Sequence, residues 1–253
     1  MDAAKKVAVI VGGGSGMGRA TAEQLAAQGS TIAIVDLPDG RGPEAAEALG
    51  ATFHPCDVTD EQGVEAALEA VLAAHGAVHI AVNTAGGGVS KRTISKNGPL
   101  PLAEFRKLIE LNLIATFNLN RLQAWHMSKN EPDGNGERGV IVNTSSIAAF
   151  EGQIGQVAYT AAKAGIAGMS LTMARDLGSL GIRVMAIAPS LFATGLLEGA
   201  PEEIVKELTK DAAFPRRPGQ PVEFAWLVES IVKNPMLNGQ TIRLDGGQRF
   251  APK

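Results

Sequence analysis

A doubly wound α/β domain, with a seven-stranded parallel sheet covered by helices on both faces, is predicted for this chain by three observations. Short apolar runs alternate with longer helix-like segments across all 253 residues. The runs are near-continuous rather than alternately polar and apolar, as suits strands buried on both faces. A glycine cluster follows the first run and opens the first helical segment, where such folds place a phosphate-binding turn.

Each element follows in order. Residues 7–11 (VAVIV) are the first strand, and residues 19–28 the helix after the glycine cluster. Residues 31–35 and 51–54 are the next two strands, separated by a helix at 43–49. A helix at 60–74 leads to a strand at 79–82. Residues 102–128 read as one long helix, followed by a strand at 140–143. A helix at 157–180 precedes strands at 182–188 and 241–244, with a last helix at 221–232 between them. Gly29, Gly50, Gly76 and Gly181 stand where four of these helices end, because glycine alone enters the left-handed C-terminal turn without strain. Right-handed strand–helix–strand crossovers then give the parallel sheet. No linker or repeat divides the chain, so one domain over residues 1–253 is expected. Two irregular stretches remain. Residues 86–100 are either a surface excursion or a functional lip, and residues 130–139 (NEPDGNGERG) read as a surface loop.

Composition excludes several classes. A net charge of -3 disfavours nucleic-acid binding by bulk positive charge. The single cysteine, Cys56, excludes an internal disulfide framework and a multi-cysteine zinc site. Gly76 breaks any helix between His75 and His79, so no metal site is expected. Walker A, nucleophile-elbow and His-Glu-x-x-His patterns are missing. Neither a leader nor a membrane span is read from the sequence, so a cytoplasmic protein is expected.

The first chemical feature is Gly12-Gly13-Gly14-Ser15-Gly16-Met17-Gly18. Glycines let the backbone turn sharply and approach a pyrophosphate, whose charge meets the helix N-terminus. Asp36 closes the second strand, 18 residues after Gly18. A carboxylate there accepts hydrogen bonds from adenosine ribose hydroxyls and repels a 2′-phosphate. Neither Ser15 nor Leu37 supplies a cation for that phosphate, so NAD is predicted over NADP.

The second feature is Ser146 with Tyr159-x-x-x-Lys163, and Tyr159 is the only tyrosine in the chain. Positions i and i+4 share a helix face. A free phenol titrates near about pH 10 and is a poor base at neutrality, but a neighbouring ammonium favours the phenolate. Lys163 and a cationic nicotinamide are therefore expected to lower the phenol, fitting it for proton transfer with an alcohol or ketone. Ser146 would hold the same oxygen.

With these residues in place, the chain resembles the short-chain dehydrogenases/reductases along its whole length. The shared residues are Gly12/Gly16/Gly18, Asp36, Asp57-Val58, Asn83-Thr84-Ala85-Gly86, Asn112, 142–146 (VNTSS), 159–163 (YTAAK) and Asn238-Gly239 with Asp245-Gly246-Gly247. The resemblance implies a Rossmann fold and a catalytic tetrad of Asn112, Ser146, Tyr159 and Lys163. Asp57 and Val58 would flank the adenine, while Asn83, Ala85 and Gly86 would support the ribose. Ser15, Met17 and Leu37 would border the cofactor, and Pro189, Leu191 and Thr194 would position its carboxamide end. Asn112 would kink its helix and hold a water that relays protons to Lys163, which would also grip the nicotinamide ribose. The chain departs from the pattern at Val11, Thr84 and Ser190, where Thr, Asn and Gly are usual.

Residues 130–133, 138–139, 148–153, 188–192 and 237–246 look like the branch of type II 3-hydroxyacyl-CoA dehydrogenases, also called 17β-hydroxysteroid dehydrogenase type 10. That implies an NAD-dependent homotetramer acting on 3-hydroxyacyl-CoA thioesters, with a pocket bordered by Gln153, Leu191 and Phe192. Lys91, Arg92 and Lys96 would then either meet CoA phosphates or form a solvated charge cluster. A 3-oxoacyl-carrier-protein reductase, a hydroxysteroid dehydrogenase and a non-catalytic dinucleotide-binding scaffold stand as alternatives.

Overall fold

The computed structural model describes residues 1–195, 197 and 201–252. Seven parallel strands form one sheet: β1 (Val7–Val11), β2 (Thr31–Asp36), β3 (Thr52–Pro55), β4 (Ile80–Asn83), β7 (Gly139–Thr144), β8 (Ile182–Pro189) and β9 (Thr241–Leu244). Their order is β3-β2-β1-β4-β7-β8-β9. Two further strands, β5 (Ile94–Ser95) and β6 (Gly98–Pro99), form a small antiparallel hairpin within the irregular stretch 86–100.

The continuous apolar character of the runs is explained by two cores. On β1, Val7, Val9 and Val11 face one cluster, and Ala8 and Ile10 face the other. The first cluster adds Val64, Leu68 and Val71 of α3 (Glu61–His75), Leu119 and Met127 of α5 (Ala115–Met127), and Met173 of α6 (Val157–Gly178). The second adds Leu25 of α1 (Gly16–Ala27), Ala45 and Ala46 of α2 (Gly42–Leu49), and Phe224, Val228 and Ile231 of α8 (Pro221–Lys233). Each fully buried Leu, Ile, Val or Phe side chain contributes about 1.5–3 kcal/mol from solvent exclusion. Local signals agree with the packing. Asp60 caps α3 by accepting from the Gln62 amide, and Gly76 ends it at φ 76°. Gln220 and Glu223 form a reciprocal capping box at the start of α8.

The structure departs from the sequence expectations in four places. The long helix predicted over 102–128 is α4 (Leu102–Ile109), a π-helical turn at Glu110–Ile114, and α5. Residues Ile147–Ala149 make a short 3-10 turn after β7, and α7 (Glu202–Thr209) lies where no helix was predicted. The hairpin within 86–100 is the fourth. Residues 130–139 fold onto themselves, with Asn130 donating to the Val78 and Arg138 carbonyls. Among the described residues no helix is long and apolar enough to cross a membrane.

Candidate active site

Strand order reverses beside β1, between β2 on one side and β4 on the other, and in such sheets the connections diverge to leave a crevice at the strands' carboxyl ends. Here that crevice is a cleft of about 930 Å³, running from Asp36 and Asp57 past the glycine turn to Ser146, Tyr159 and Lys163. The glycine turn forms one wall. Gly12 has φ +79°, and a methyl group on Gly18 would lie 2.1 Å from the Gly12 carbonyl oxygen, so larger residues cannot make this turn. Ser15 precedes α1 without capping it by its side chain, and no acidic residue occupies the first turn. The amides of Gly16, Met17 and Gly18 therefore border the cleft as an uncapped helix N-terminus, suited to an anion.

Asp36 ends β2 at the cleft wall. Its carboxylate is held from two sides: the Gly14 amide donates to Oδ2 and the Leu37 amide to Oδ1, each at 2.8 Å. Arg19, in the first turn of α1, is paired with Glu23 at 3.1 Å and Glu44 at 3.4 Å. Arg41 is not among the residues lining the cleft. Asp57 and Val58 line the same end, with Asp57 Oδ1 accepting from the Thr59 amide and hydroxyl. Those two bonds hold the Asp57 carboxyl below its ordinary value.

At the other end, the π-helical turn, β7 and α6 converge. Ser146 Oγ accepts from the Ala148 amide at 3.1 Å, which turns its O–H outward. The same hydroxyl acts on the Tyr159 phenol in the direction that favours its ionised form. Gly88 passes against the ring, where a methyl group would lie 2.8 Å from Tyr159 Cδ2. Lys163, one helical turn on, is buried and donates to the Thr144 carbonyl at 2.9 Å. Its Nζ stands 5.6 Å from the centre of the Tyr159 ring.

The electrostatics correct the sequence expectation for this pair. Burial raises the Tyr159 phenol, against the Ser146 hydrogen bond that lowers it. Burial also lowers the Lys163 ammonium to about 8. Lys163 does not by itself bring the phenol down, because desolvation penalises both charged forms. A positive charge entering the cleft beside the phenol is what would favour the phenolate.

Asn112 sits in the π-helical turn, fully buried, behind the cleft rather than on its wall. Its Nδ2 donates to the Gly87 and Leu108 carbonyls, and its Oδ1 accepts from the Gly87 amide. It thereby pins the irregular segment whose Gly88 lies against the Tyr159 ring. The widened turn makes that reach possible, since an inserted residue re-aims the side chains around it.

Of the remaining residues singled out from sequence, Gly12, Ser15, Met17, Leu37, Ala85, Gly86, Pro189, Leu191, Phe192 and Thr194 line the cleft. The side chain of Asn83 does not. It is buried in an amide network with Asn120, Gln123 and Asn143, so it braces β4 against α5 and β7. Thr84 takes the place on the wall. Gln153 is also off the wall: its side chain donates to the Ala251 carbonyl at 3.2 Å, and Gln156 faces the cleft instead. Phe192 is largely buried edge-on against Phe224, with ring centres 6.5 Å apart, and offers little surface to a ligand. Lys91 is paired with Glu104 at 3.0 Å. Lys91, Arg92 and Lys96 are exposed and lie off the main cleft, whose wall carries Lys107. Gln156 has a legible signal, three residues before Tyr159 and so on its helix face. Phe250 also lines the cleft and has none, because only the tertiary fold carries it there.

The cleft fits a dinucleotide: an anion-ready helix end at its middle, a carboxylate held open at one end, and a phenol–ammonium pair at the other. Comparisons with known proteins agree. The family model described as short chain dehydrogenase matches residues 6–204. The chain is 50% identical to the 3-hydroxyacyl-CoA dehydrogenase type-2 of Homo sapiens, over 97% of this chain and 96% of that protein. It is 34% identical to the ipsdienol dehydrogenase of Ips pini, over 96% of each. Among solved structures, the 3-hydroxyacyl-CoA dehydrogenase type-2 from Mycobacterium avium superposes with a TM-score of 0.94 at 42% identity, covering 100% of this chain and 98% of that one. A 7α-hydroxysteroid dehydrogenase complexed with NADH and 7-oxo glycochenodeoxycholic acid superposes at 0.88 with 31% identity, covering 99% and 96%.

Proposed function

Because this chain belongs to the short-chain dehydrogenase family, an oxidoreductase family that uses nicotinamide dinucleotides, we propose that it interconverts 3-hydroxyacyl-CoA and 3-oxoacyl-CoA with NAD. The observation that carries the chemistry is the Ser146–Tyr159–Lys163 constellation at one end of a cleft whose other end is Asp36. The substrate class rests on the 50% identity to relatives named for it.

The residues divide the work. The uncapped start of α1 would hold the pyrophosphate, and Asp36 the adenosine ribose hydroxyls. Lys163, with donors beyond the one given to Thr144, would bind the nicotinamide ribose. The bound dinucleotide supplies the hydride acceptor. Ser146 donates to the substrate oxygen, and Tyr159 as phenolate takes the hydroxyl proton while the C3–H electron pair leaves as hydride. In the reverse direction Tyr159 returns that proton to the 3-oxo oxygen. Asn112 acts as a positioning residue through Gly87. A homotetramer is part of the proposal, supported by the exposed Phe117, Trp125 and Leu171 on α5 and α6 and Val222 and Trp226 on α8. The enzyme is proposed to be cytoplasmic, consistent with its one thiol being unpaired.

A steady-state panel with NAD tests the reading, using 3-hydroxybutyryl-CoA, 2-methyl-3-hydroxybutyryl-CoA, a carrier-protein thioester and a 17β-hydroxysteroid. Preferred turnover of the CoA thioesters is expected. Absence of turnover with both would overturn it. A hydroxysteroid substrate is the second reading, favoured by the 0.88 superposition on a bile-acid dehydrogenase.

A further inference from the structure

The segment after β9 is bound to the loop that follows Ser146 by a compact charged cluster. Glu151 accepts from Arg243 at 2.6 Å and from the Phe250 amide at 2.8 Å. Asp245 accepts from Arg243 at 2.7 Å and from Arg249 at 3.1 Å. Two carboxylates and two guanidiniums make the cluster neutral, and three of the four side chains are at most 23% exposed. The guanidinium of Arg243 also lies over the Phe150 ring and donates to the Gln248 carbonyl. Buried Gln248 in turn donates to the Leu208 carbonyl of α7, and the Gln153 side chain and Ile154 amide bind the Ala251 and Pro252 carbonyls. This single segment thus bridges the catalytic loop and α7. The side chain it delivers is Phe250, which lines the cleft at the Ser146 end together with Gln156 and Leu191.

We infer that Phe250 is a specificity-determining wall of the substrate pocket and that the Glu151–Arg243 cluster is the latch that holds it there. The inference deepens the proposed function, since the wall would face the acyl portion of the thioester. An aromatic ring closing that end favours short acyl groups. Its placement depends on the Glu151 carboxylate because a backbone amide bond to an ionised acceptor is among the stronger hydrogen bonds.

The test compares acetoacetyl-CoA with 3-oxodecanoyl-CoA in the full-length enzyme. Phe250→Ala is expected to raise the kcat/KM ratio of long to short substrate at least fivefold, mainly through KM, with the NADH Kd within twofold of wild type. Phe250→Leu should fall between. Glu151→Gln should shift the ratio the same way, and combining it with Phe250→Ala should add little. In Glu151→Gln, hydrogen exchange at residues 246–252 should quicken at least tenfold. A ratio within twofold of wild type in Phe250→Ala overturns the wall, and unchanged exchange in Glu151→Gln overturns the latch. The exchange readout needs no substrate, so it stands if the thioester reading fails. The ratio would then be measured with a bulky and a small substrate of the class that the wild type turns over. Should Glu151→Gln not fold, Glu151→Asp takes its place, the shorter side chain withdrawing the carboxylate from the Phe250 amide.

Discussion

Replacing Asp36 with Asn isolates the charge that is proposed to select NAD. Asn keeps an oxygen acceptor for the Gly14 amide, which Asp36 Oδ2 now meets at 2.8 Å, so the turn should survive. What disappears is a negative charge at a half-exposed cleft wall. Two unit charges about 4 Å apart interact by about 1 kcal/mol in a water-like dielectric and about 4 kcal/mol at an effective constant of about 20. At a half-exposed site the lower figure applies, and a 2′-phosphate carries about 1.5–2 charges. Relief of about 1.5–2 kcal/mol should improve kcat/KM for NADPH about 10- to 30-fold. Hydrogen bonds to a charged acceptor exceed neutral ones by about 1 kcal/mol, so NADH should lose about fivefold. The NADH-to-NADPH preference should therefore fall by about 50- to 150-fold. Arg19 cannot mask the effect, since Glu23 and Glu44 already occupy it. Steady-state reduction of a 3-oxoacyl thioester with each cofactor, at low and equal ionic strength, measures the ratio. A wild-type enzyme that prefers NADPH, or a folded Asn variant whose ratio moves less than threefold, would refute the reasoning.

Two further outcomes follow from the other end of the cleft. Tyr159→Phe keeps the ring against Gly88 and removes only the hydroxyl, so turnover should drop about 10²- to 10⁴-fold while NADH still binds by fluorescence titration. Retention of more than about a tenth of kcat, under about 1.4 kcal/mol of barrier, would disprove its role in proton transfer. Lys163 should make the cofactor-free protein more stable as pH rises. Its folded value is depressed to about 8 by burial, so between about pH 8 and 10.5 the unfolded chain holds a proton that the folded chain has released. Urea denaturation should show about 1.5 kcal/mol gained between pH 8 and 9.5, and Lys163→Met should lack that gain. Equal pH dependence in both proteins would contradict the burial argument. Tyr159, raised in the folded state, works the other way and costs stability above about pH 10.

Much of this molecule was legible before any coordinates. The short, near-continuous apolar runs suited strands covered on both faces, and Val7, Val9 and Val11 do face one core while Ala8 and Ile10 face the other. The glycine turn was legible because its constraint is local: backbone geometry at Gly12 and Gly18 admits no side chain. Tyr159 and Lys163 were legible because a helix relates i to i+4 without help from the rest of the chain.

Other features follow from the way separate segments meet. Asn83 carries a family motif, yet its side chain turns inward to Asn120, Gln123 and Asn143, partners 37 to 60 residues away. Gln153 and Gln156 lie on one short stretch, and only the docking of residues 251–252 decides which of them faces the cleft. The π-helical turn at Glu110–Ile114 carries Asn112 to the Gly87 backbone, a contact with no trace in helix propensity. The direction of the Tyr159 and Lys163 shifts was likewise a matter of burial, which long-range packing sets and spacing does not. The sequence alone therefore determined the fold, the glycine turn and the phenol–ammonium pair, because each rests on periodicity or local backbone geometry. The tertiary structure decided which side chains wall the cleft, how its charges are tuned and where Phe250 lies, because those depend on desolvation and on contacts between distant segments.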